Sequence, residues 1–570
     1  MTKYFALLCL VTSWMVPIHF LPWVSWHNEM LSFFAALLLA WAALLQIMKT
    51  RDYESLHLPK SVIFLSAFAA IAAVQANIGL ITFSGDAIVV GFYMALCIIC
   101  MSLGFFSGRK IMVLGAVPKN VLGEQTKSEI ALLALALLAG ACASTVAAFA
   151  QVFDLWEGAG WISRMPTARR PGGNLGQPNQ LATLVIMAIA SLLFLFESRK
   201  VSALPAALTL FLLLAGLAVT ESRTGALGFF ILAIWFFVKR RTVGFKLPVW
   251  AAGMTVIAFL ILFFSWPILF GSIQMLGSET VVNTQPGSRL VVWPQLIHAV
   301  LLRPWWGWGI GRVSDAQNAV AHNYAESEAF TYSHNILLDL VIGVGVPIAL
   351  VIVVAVALWL WRRIRVANQL LPWYCLALSL PVAVHSMLEF PFAYAYFLGP
   401  VMFSLGVLDG VVGGRPSLRL QFAPLASSLL ITTALMAWSV AEYVGIEEDF
   451  RVVRFEALRL GKTDENHQRP KVFLLTQLDA LLSGGRIVPK PGMTIEELDL
   501  AKTVALRYPW TATQNRYALS LALNGNTGEA IRQMRVIRAL YGEKAYDEVK
   551  SSWVALAQVK YPQLASVALP

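Results

Sequence analysis

This 570-residue sequence is short of charge: Asp, Glu, Lys and Arg make up 13% of it, against 58% for the apolar residues. Soluble domains carry roughly a quarter charged residues, so an ordinary soluble fold is excluded. Cysteine is scarce too. Cys9, Cys97, Cys100, Cys142 and Cys375 all sit within apolar runs, where a free thiol behaves as a small hydrophobe. Cys97 and Cys100 have the spacing of a redox or metal pair, but no second Cys or His pair stands near them. No P-loop, H-E-x-x-H, D-x-D or Cys/His quartet occurs, which argues against an ATP-driven pump and against a metal held by the protein; no cofactor is expected. Lysine is absent from one stretch in particular, residues 271–335, the longest polar interruption of the chain. Arg289, Arg303 and Arg312 carry all of its Lys/Arg charge.

What remains is mostly membrane. Apolar runs of the length that crosses a bilayer, about 20 residues, recur from end to end. The first, from Met1 to about Trp23, has a Lys3 flank and no small-x-small cleavage site, and it ends in Pro17, Pro22, Trp23 and Trp26. It reads as an uncleaved helix with an interfacial aromatic anchor. Further spans follow at 30–48, 61–83, 87–106, 128–152, 179–196, 203–219, 224–238, 247–270, 336–361, 371–388, 394–412 and 422–443. The fold class is therefore all-α and polytopic, with roughly thirteen transmembrane helices. Pro205 and Pro381 mark the spans expected to break or tilt.

The net charge of +11 does not call for nucleic acid, because the basic residues follow the positive-inside pattern. Lys3, Lys49, Arg51, Lys60, Arg109, Lys110, Lys119, Lys127, Arg199, Lys200, Lys239–Arg241, Lys246, Arg362, Arg363, Arg365, Arg415 and Arg419 all fall in one set of alternate loops. That set is assigned to the cytoplasm. The opposite face holds loops 153–179 and 271–335, the short 220–223 turn and 389–392. It has no lysine and seven arginines: Arg164, Arg169, Arg170, Arg223, Arg289, Arg303 and Arg312. An odd number of spans puts the C-terminal tail on this outer face as well. From about Glu447 the composition turns to that of a soluble helical domain. Residues 512–524 and 528–540 read as two amphipathic helices joined by Gly525-Asn526-Thr527, a helix-turn-helix like one tetratricopeptide unit or part of a plain helical bundle.

The unusual polar clusters share the outer face. Arg170-Pro171-Gly172-Gly173-Asn174-Leu175-Gly176-Gln177-Pro178-Asn179 opens a membrane helix. Glycines and amides ahead of a helix N-terminus make either an anion site or a tight capped turn. Glu221-Ser222-Arg223-Thr224 is either an exposed salt bridge or part of the same site. Arginine without lysine suits a phosphate or diphosphate, which the guanidinium fork binds in a bidentate way while keeping its charge; lipid headgroup contact is the competing explanation. His334, in Ser333-His334-Asn335 at the mouth of a helix, is the foremost titratable candidate, since histidine can accept a proton near neutral pH. His322 is a weaker one.

Together these residues resemble the O-antigen ligase/polymerase superfamily. The resemblance is carried by Ser222-Arg223-Thr224, Ser288-Arg289 with Trp293, Gly307-Trp308-Gly309-Ile310-Gly311, and Ser333-His334-Asn335. Within it, Gly173-Asn174-Leu175-Gly176-Gln177-Pro178-Asn179 and His385-Ser386-Met387-Leu388-Glu389-Phe390-Pro391 look like the bacterial protein O-oligosaccharyltransferases of the PglL, or pilin glycosylase, type. One departure is Gly172, where that pattern has a bulkier residue before Gly-Asn.

The resemblance implies transfer of a preassembled glycan from an undecaprenyl-diphosphate carrier to a Ser or Thr hydroxyl of a periplasmic protein such as pilin, at the inner membrane. It implies His334, Arg289 and Arg223 as catalytic residues, and Arg170, Asn174, Gln177, Asn179, Arg312, His322, His385 and Glu389 as substrate-binding residues. The expected organisation is a glycan-transfer domain over 1–445 and a periplasmic helical domain over 446–570, in contact with membrane lipid and with no nucleic acid partner. Two alternatives stay open: an O-antigen ligase or polymerase working on a lipid-linked glycan, and a lipid-glycan flippase.

Overall fold

The computed structural model describes residues 1–51, 57–115, 123–155, 160–164, 170–273, 287, 289–412, 418–419, 421–458, 460, 463 and 467–569. Of the positions singled out above, Lys119, Arg169, Ser288 and Arg415 lie outside the described residues. Among the described residues the backbone is all-α, with nineteen α-helices and one two-residue antiparallel ladder, His57–Leu58 against Leu418–Arg419. Among the described residues, eight helices are long and apolar enough to cross a membrane, and five shorter apolar helices accompany them. The chain is thus a multi-pass membrane protein. The Arg223–Val243 helix has the length, but its last turns carry Lys239, Arg240 and Arg241.

Some boundaries differ from the sequence reading, each for a local reason. The first helix, Thr2–Ser13, stops well short of Trp23. The Asn28 amide donates to Ser13 O at 2.9 Å and Val16 O at 3.1 Å, taking up carbonyls that a longer helix would have used. Pro205 breaks nothing, because it lies in the first turn of Ala203–Val219, where its missing N–H is not needed. Pro381 lies inside the continuous Leu370–Ser386 helix.

The chain forms two compact units. The first comprises residues 1–68, 93–284 and 356–433. Its hub is the Pro178–Glu197 helix, whose side chains are buried almost all round. It packs against Gly123–Val152, Ala203–Val219, Arg223–Val243 and Leu370–Ser386. A helix apolar on every face needs such a coat of neighbours. Its far end is fixed by Glu197, which accepts from Lys246 N at 2.9 Å and Leu247 N at 2.8 Å.

The second unit comprises residues 69–92, 285–355 and 434–570. The Ile336–Val366 helix, read from the sequence as one span over 336–361, is kinked at Gly345, which has a φ of +79°. Pro347 cannot donate to the carbonyl of Gly343, one turn back; the Gln75 amide takes that carbonyl instead, at 2.8 Å. The loop before the kink fits into it. Trp308 N donates to Ile342 O at 2.7 Å and Val346 N to Pro304 O at 2.8 Å, while a Cβ on Gly345 would lie 2.3 Å from Trp305 O. The Gly-Trp-Gly-Ile-Gly segment is therefore a backbone plug in a kinked helix.

In the same unit, Thr476–Gly485, Ile495–Arg507, Thr511–Leu523 and Thr527–Val559 form the C-terminal helices, the last one broken at Gly542. The reading of two helices joined at Gly525-Asn526-Thr527 matches the structure. These helices cover one side of the Val313–Ala321 helix: Ala321 packs on Val536 and Leu540, and Asn318 donates to Gln514 at 3.3 Å and exchanges hydrogen bonds with Gln533 at 3.2–3.3 Å. Arg507 grips Asp86 through Nη2 at 2.9 Å and Nε at 3.1 Å. Burial works against this guanidinium charge, but Asp86 outweighs it and holds Arg507 above its ordinary value. Arg507→Ala would leave the largely buried Asp86 carboxyl without its partner. We expect it to destabilise this unit by about 3 kcal/mol, read as a lower melting temperature and faster proteolysis in detergent; an unchanged melting temperature would show that the pair contributes nothing.

Candidate functional site

Two polar constellations lie at helix mouths, one in each unit. In the first unit, Gln177 caps the Pro178–Glu197 helix, its Oε1 accepting from Gln180 N at 3.0 Å. Asn179, in the first turn, is the hub of the cluster. Its Oδ1 accepts from Ser222 Oγ at 2.6 Å and from Arg170 Nη2 at 3.3 Å, and its Nδ2 reaches Glu389 Oε1 at 3.5 Å. Arg170 also donates through Nε to Thr220 O at 3.0 Å. Burial lowers its pKa, Glu221 and Glu389 oppose that shift, and the charge of Arg223 adds to it. Ser222 caps the Arg223–Val243 helix through Gly225 N at 2.9 Å. Arg223 itself is exposed at the head of that helix, and Glu221 just before it has a φ of +47°. His385, buried, meets Thr183 Oγ1 through Nδ1 at 2.7 Å. Arg170, Asn179, Arg223 and Glu389, scattered in sequence, are thus one electrostatic cluster.

Asn174 has a different place. Its amide donates to Met15 O at 2.7 Å and Trp161 O at 2.8 Å, and its Oδ1 accepts from Ser163 N at 3.0 Å. It is buried, and its hydrogen-bonding capacity is taken up in fixing the turn. The Gly172 departure also has a cause. A Cβ there would sit 2.4 Å from Gln177 N, so this turn has no room for a larger residue.

In the second unit the candidate base stands on a constrained turn. His334 has a φ of +59°, a left-handed conformation uncommon outside glycine. Three contacts hold it there. Asp339 accepts from Ser333 N at 3.1 Å and Ser333 Oγ at 2.9 Å. Asn335 caps the helix by accepting from Leu337 N at 3.0 Å and Leu338 N at 3.1 Å. Trp293 Nε1 donates to Ser333 O at 2.7 Å. Trp293 lies one turn after Arg289 on the Arg289–Leu302 helix, so Arg289 shares the face that docks on the His334 turn. The His334 ring rests on Phe330, with centroids 4.5 Å apart.

Arg312 and His322 belong to the interior of this unit. Arg312 is buried and donates through Nη2 to Asp315 Oδ1 at 2.6 Å and Thr82 Oγ1 at 2.7 Å. Burial pushes its guanidinium down and the Asp315 carboxyl up to about 6. His322 faces Arg532 at 3.4 Å, and burial together with that charge lowers its pKa. Sequence reasoning missed Asp315, Asp339, Asp86 and Arg507. Asp339 was the findable one: a lone carboxylate one turn into a long apolar run is costly enough to need a purpose. Among the described residues no group of three or more His, Cys, Asp or Glu is placed to hold a metal.

Comparisons with known proteins bear on both constellations. The family model described as protein glycosylation ligase matches residues 171–196, the capped turn and its helix. That described as O-antigen ligase matches residues 207–353, which include Arg223, Arg289 and His334. A third, described as virulence factor membrane-bound polymerase, C-terminal, matches residues 373–555. The chain is 25% identical to a general O-oligosaccharyltransferase of Acinetobacter baylyi over 547 residues, 93% of this chain and 90% of that protein. It is 29% identical to a ComP-specific O-oligosaccharyltransferase of the same organism over 254 residues, 42% of this chain and 44% of that protein.

Proposed function

We infer that this chain, a homologue of the bacterial O-oligosaccharyltransferases along nearly its whole length, is a glycosyltransferase of the PglL type. It moves a preassembled oligosaccharide from an undecaprenyl-diphosphate carrier to Ser or Thr hydroxyls of acceptor proteins such as pilin. The observation that carries the reading is the match of the glycosylation ligase model to residues 171–196, the segment that holds Gln177 and Asn179 at the head of the arginine cluster. In the reaction, the acceptor oxygen forms a bond to the anomeric carbon as the bond from that carbon to the diphosphate breaks. The electron pair leaves with the diphosphate, and the acceptor proton goes to a base.

His334 is the base in this reading, set by its turn rather than carried on a loose loop. Arg223 and Arg289 stabilise the charge that develops on the leaving diphosphate; such electrostatic stabilisation is usually the largest single term. Asn179 and Glu389 orient Arg170, and Gln177 fixes the mouth of the helix. His385 supports the cluster from below through Thr183. Asn174, Arg312 and His322 serve by holding the frame.

Asp339 acts through its neighbour, as a positioning residue. Asp339→Ala removes the acceptor of two Ser333 hydrogen bonds and frees the left-handed turn. We expect kcat to fall on the order of 10- to 100-fold, with carrier affinity little changed and partial rescue in Asp339→Asn. Equal losses in the Asn and Ala variants would remove the hydrogen-bonding role.

The full topology has about thirteen spans, with the arginine-bearing loops and residues 446–570 in the periplasm and the active face of the inner membrane outward. Residues 446–570 help to present the acceptor. Reporter fusions after Gly287 and Gly492 should both report export; a cytoplasmic signal from either would sink the orientation. The matches to O-antigen ligase and polymerase models favour one second reading, the same chemistry on a lipid or glycan acceptor. Purified protein in liposomes, given lipid-diphosphate glycan with either pilin or lipid A-core, separates the two. Glycosylated pilin is the expected product, and transfer to lipid A-core alone would overturn the protein acceptor.

A further inference from the structure

We propose that the Arg289–Leu302 helix lies in the membrane surface, with its outward side chains in the boundary between lipid headgroups and acyl chains. The inner face of this helix is accounted for: Val292, Leu296 and Ala299 are fully buried against Val313, Ala316, Val320, Phe330 and Ile342. The outer face is apolar too. Leu290 is 63% exposed, Ile297 53%, Leu301 70% and Leu302 55%, and the run continues into Trp305 at 70% and Trp306 at 74%. From Arg289 to Trp306 there is no Lys, Asp or Glu. Facing water, this contiguous patch would be unusual. As a bilayer span it is too short, because fourteen residues rise about 21 Å and the hydrocarbon core is about 30 Å thick.

Both ends carry interfacial chemistry. Arg289 opens the helix and Arg303 follows it, the latter 4.2 Å above the Trp308 ring. Arginine and tryptophan bracketing an apolar face are what a helix lying in the headgroup layer presents. The surface is also continuous with a bilayer-spanning element. A groove of about 360 Å³, lined by Trp293 and Ile297 of this helix and by Leu337 and Val341 of Ile336–Val366, joins the two. If this chain uses a lipid-diphosphate donor, as proposed above, the same placement sets Arg289 at the depth where a carrier's phosphates lie.

The test needs no donor and no activity, so it stands or falls apart from the transfer reading. Leu290→Cys and Leu301→Cys are made separately, with Lys544→Cys, exposed on a C-terminal helix, as the aqueous reference. Each is labelled with a nitroxide in proteoliposomes, and collision rates with oxygen and with a water-soluble nickel chelate are compared. The expected result at 290 and 301 is an oxygen-to-nickel ratio several-fold above that at 544. A ratio equal to the reference would overturn the proposal in favour of a water-facing surface. Protection from both reagents would overturn it in favour of a covering protein surface, and spin–spin broadening that grows with protein density would identify that surface as a second copy of this chain.

Discussion

Replacing His334 by Ala is expected to lower the rate of glycan transfer by roughly 10²–10⁴-fold, the range of a lost general base, while carrier affinity stays nearly constant. The imidazole sits on a turn fixed by hydrogen bonds of Asp339 and Trp293 to Ser333 and of Asn335 to Leu337, bonds that the His334 side chain does not itself make, so the variant should insert and fold. The rival role is an imidazolium that donates to phosphate. The two differ in the sign of their pH dependence. A base must be neutral, so activity falls as pH drops through its pKa; a cationic ligand loses activity as pH rises through it. A plot of kcat/KM against pH in the parent protein therefore decides between them. Carrier affinity falling in step with rate in the Ala variant would favour the phosphate role, and near-normal turnover would take His334 out of the mechanism.

The positive φ at His334 gives that experiment a structural reason. A left-handed non-glycine residue is strained, and strain of this kind persists only where the surroundings enforce it. Here a carboxylate and an indole both bond to Ser333 before it, and the amide of Asn335 after it caps the helix. The arrangement fixes where the imidazole stands, which a base requires and a residue that merely fills space does not.

The membrane helices were legible because twenty-residue apolar runs carry their signal locally, and most boundaries fell within a few residues of the structure. The kink at Gly345 was not. Gly343-Val344-Gly345-Val346-Pro347 contains the ingredients, but only the Pro304–Trp308 loop and Gln75, far away in sequence, give the freed backbone groups their partners. The short first helix hid for a similar reason, since its end is capped by an amide fifteen residues on. Candidate residues were recognisable by type and motif, yet their roles depended on contacts. Asn174 and Asn179 read alike in the Gly-Asn-Leu-Gly-Gln-Pro-Asn string; one is locked under the turn, and the other links Ser222, Arg170 and Glu389. Arg312 looked like its fellow outer-face arginines until burial beside Asp315 and Thr82 set it apart.

That difference among the arginines yields the other large expected effect. Arg223 stands exposed at the head of its helix, and Arg289 opens the helix docked on the His334 turn, whereas Arg312 is buried on Asp315 and Thr82. Arg223→Ala and Arg289→Ala should each lose about 3 kcal/mol of transition-state stabilisation, roughly a hundredfold in kcat, with normal membrane abundance. Arg223→Lys and Arg289→Lys should recover only part of this, because an ammonium supplies the charge without the bidentate fork. Arg312→Ala should behave differently: it breaks a buried pair and leaves Asp315 without its cation, so the loss should appear first as lower stability and abundance. Transfer rates normalised to folded protein in liposomes separate these outcomes. Full activity in the Arg223 and Arg289 Ala variants would demote both to structural roles. A normalised rate loss in Arg312→Ala as large as theirs would mean that the buried pair reaches the donor after all.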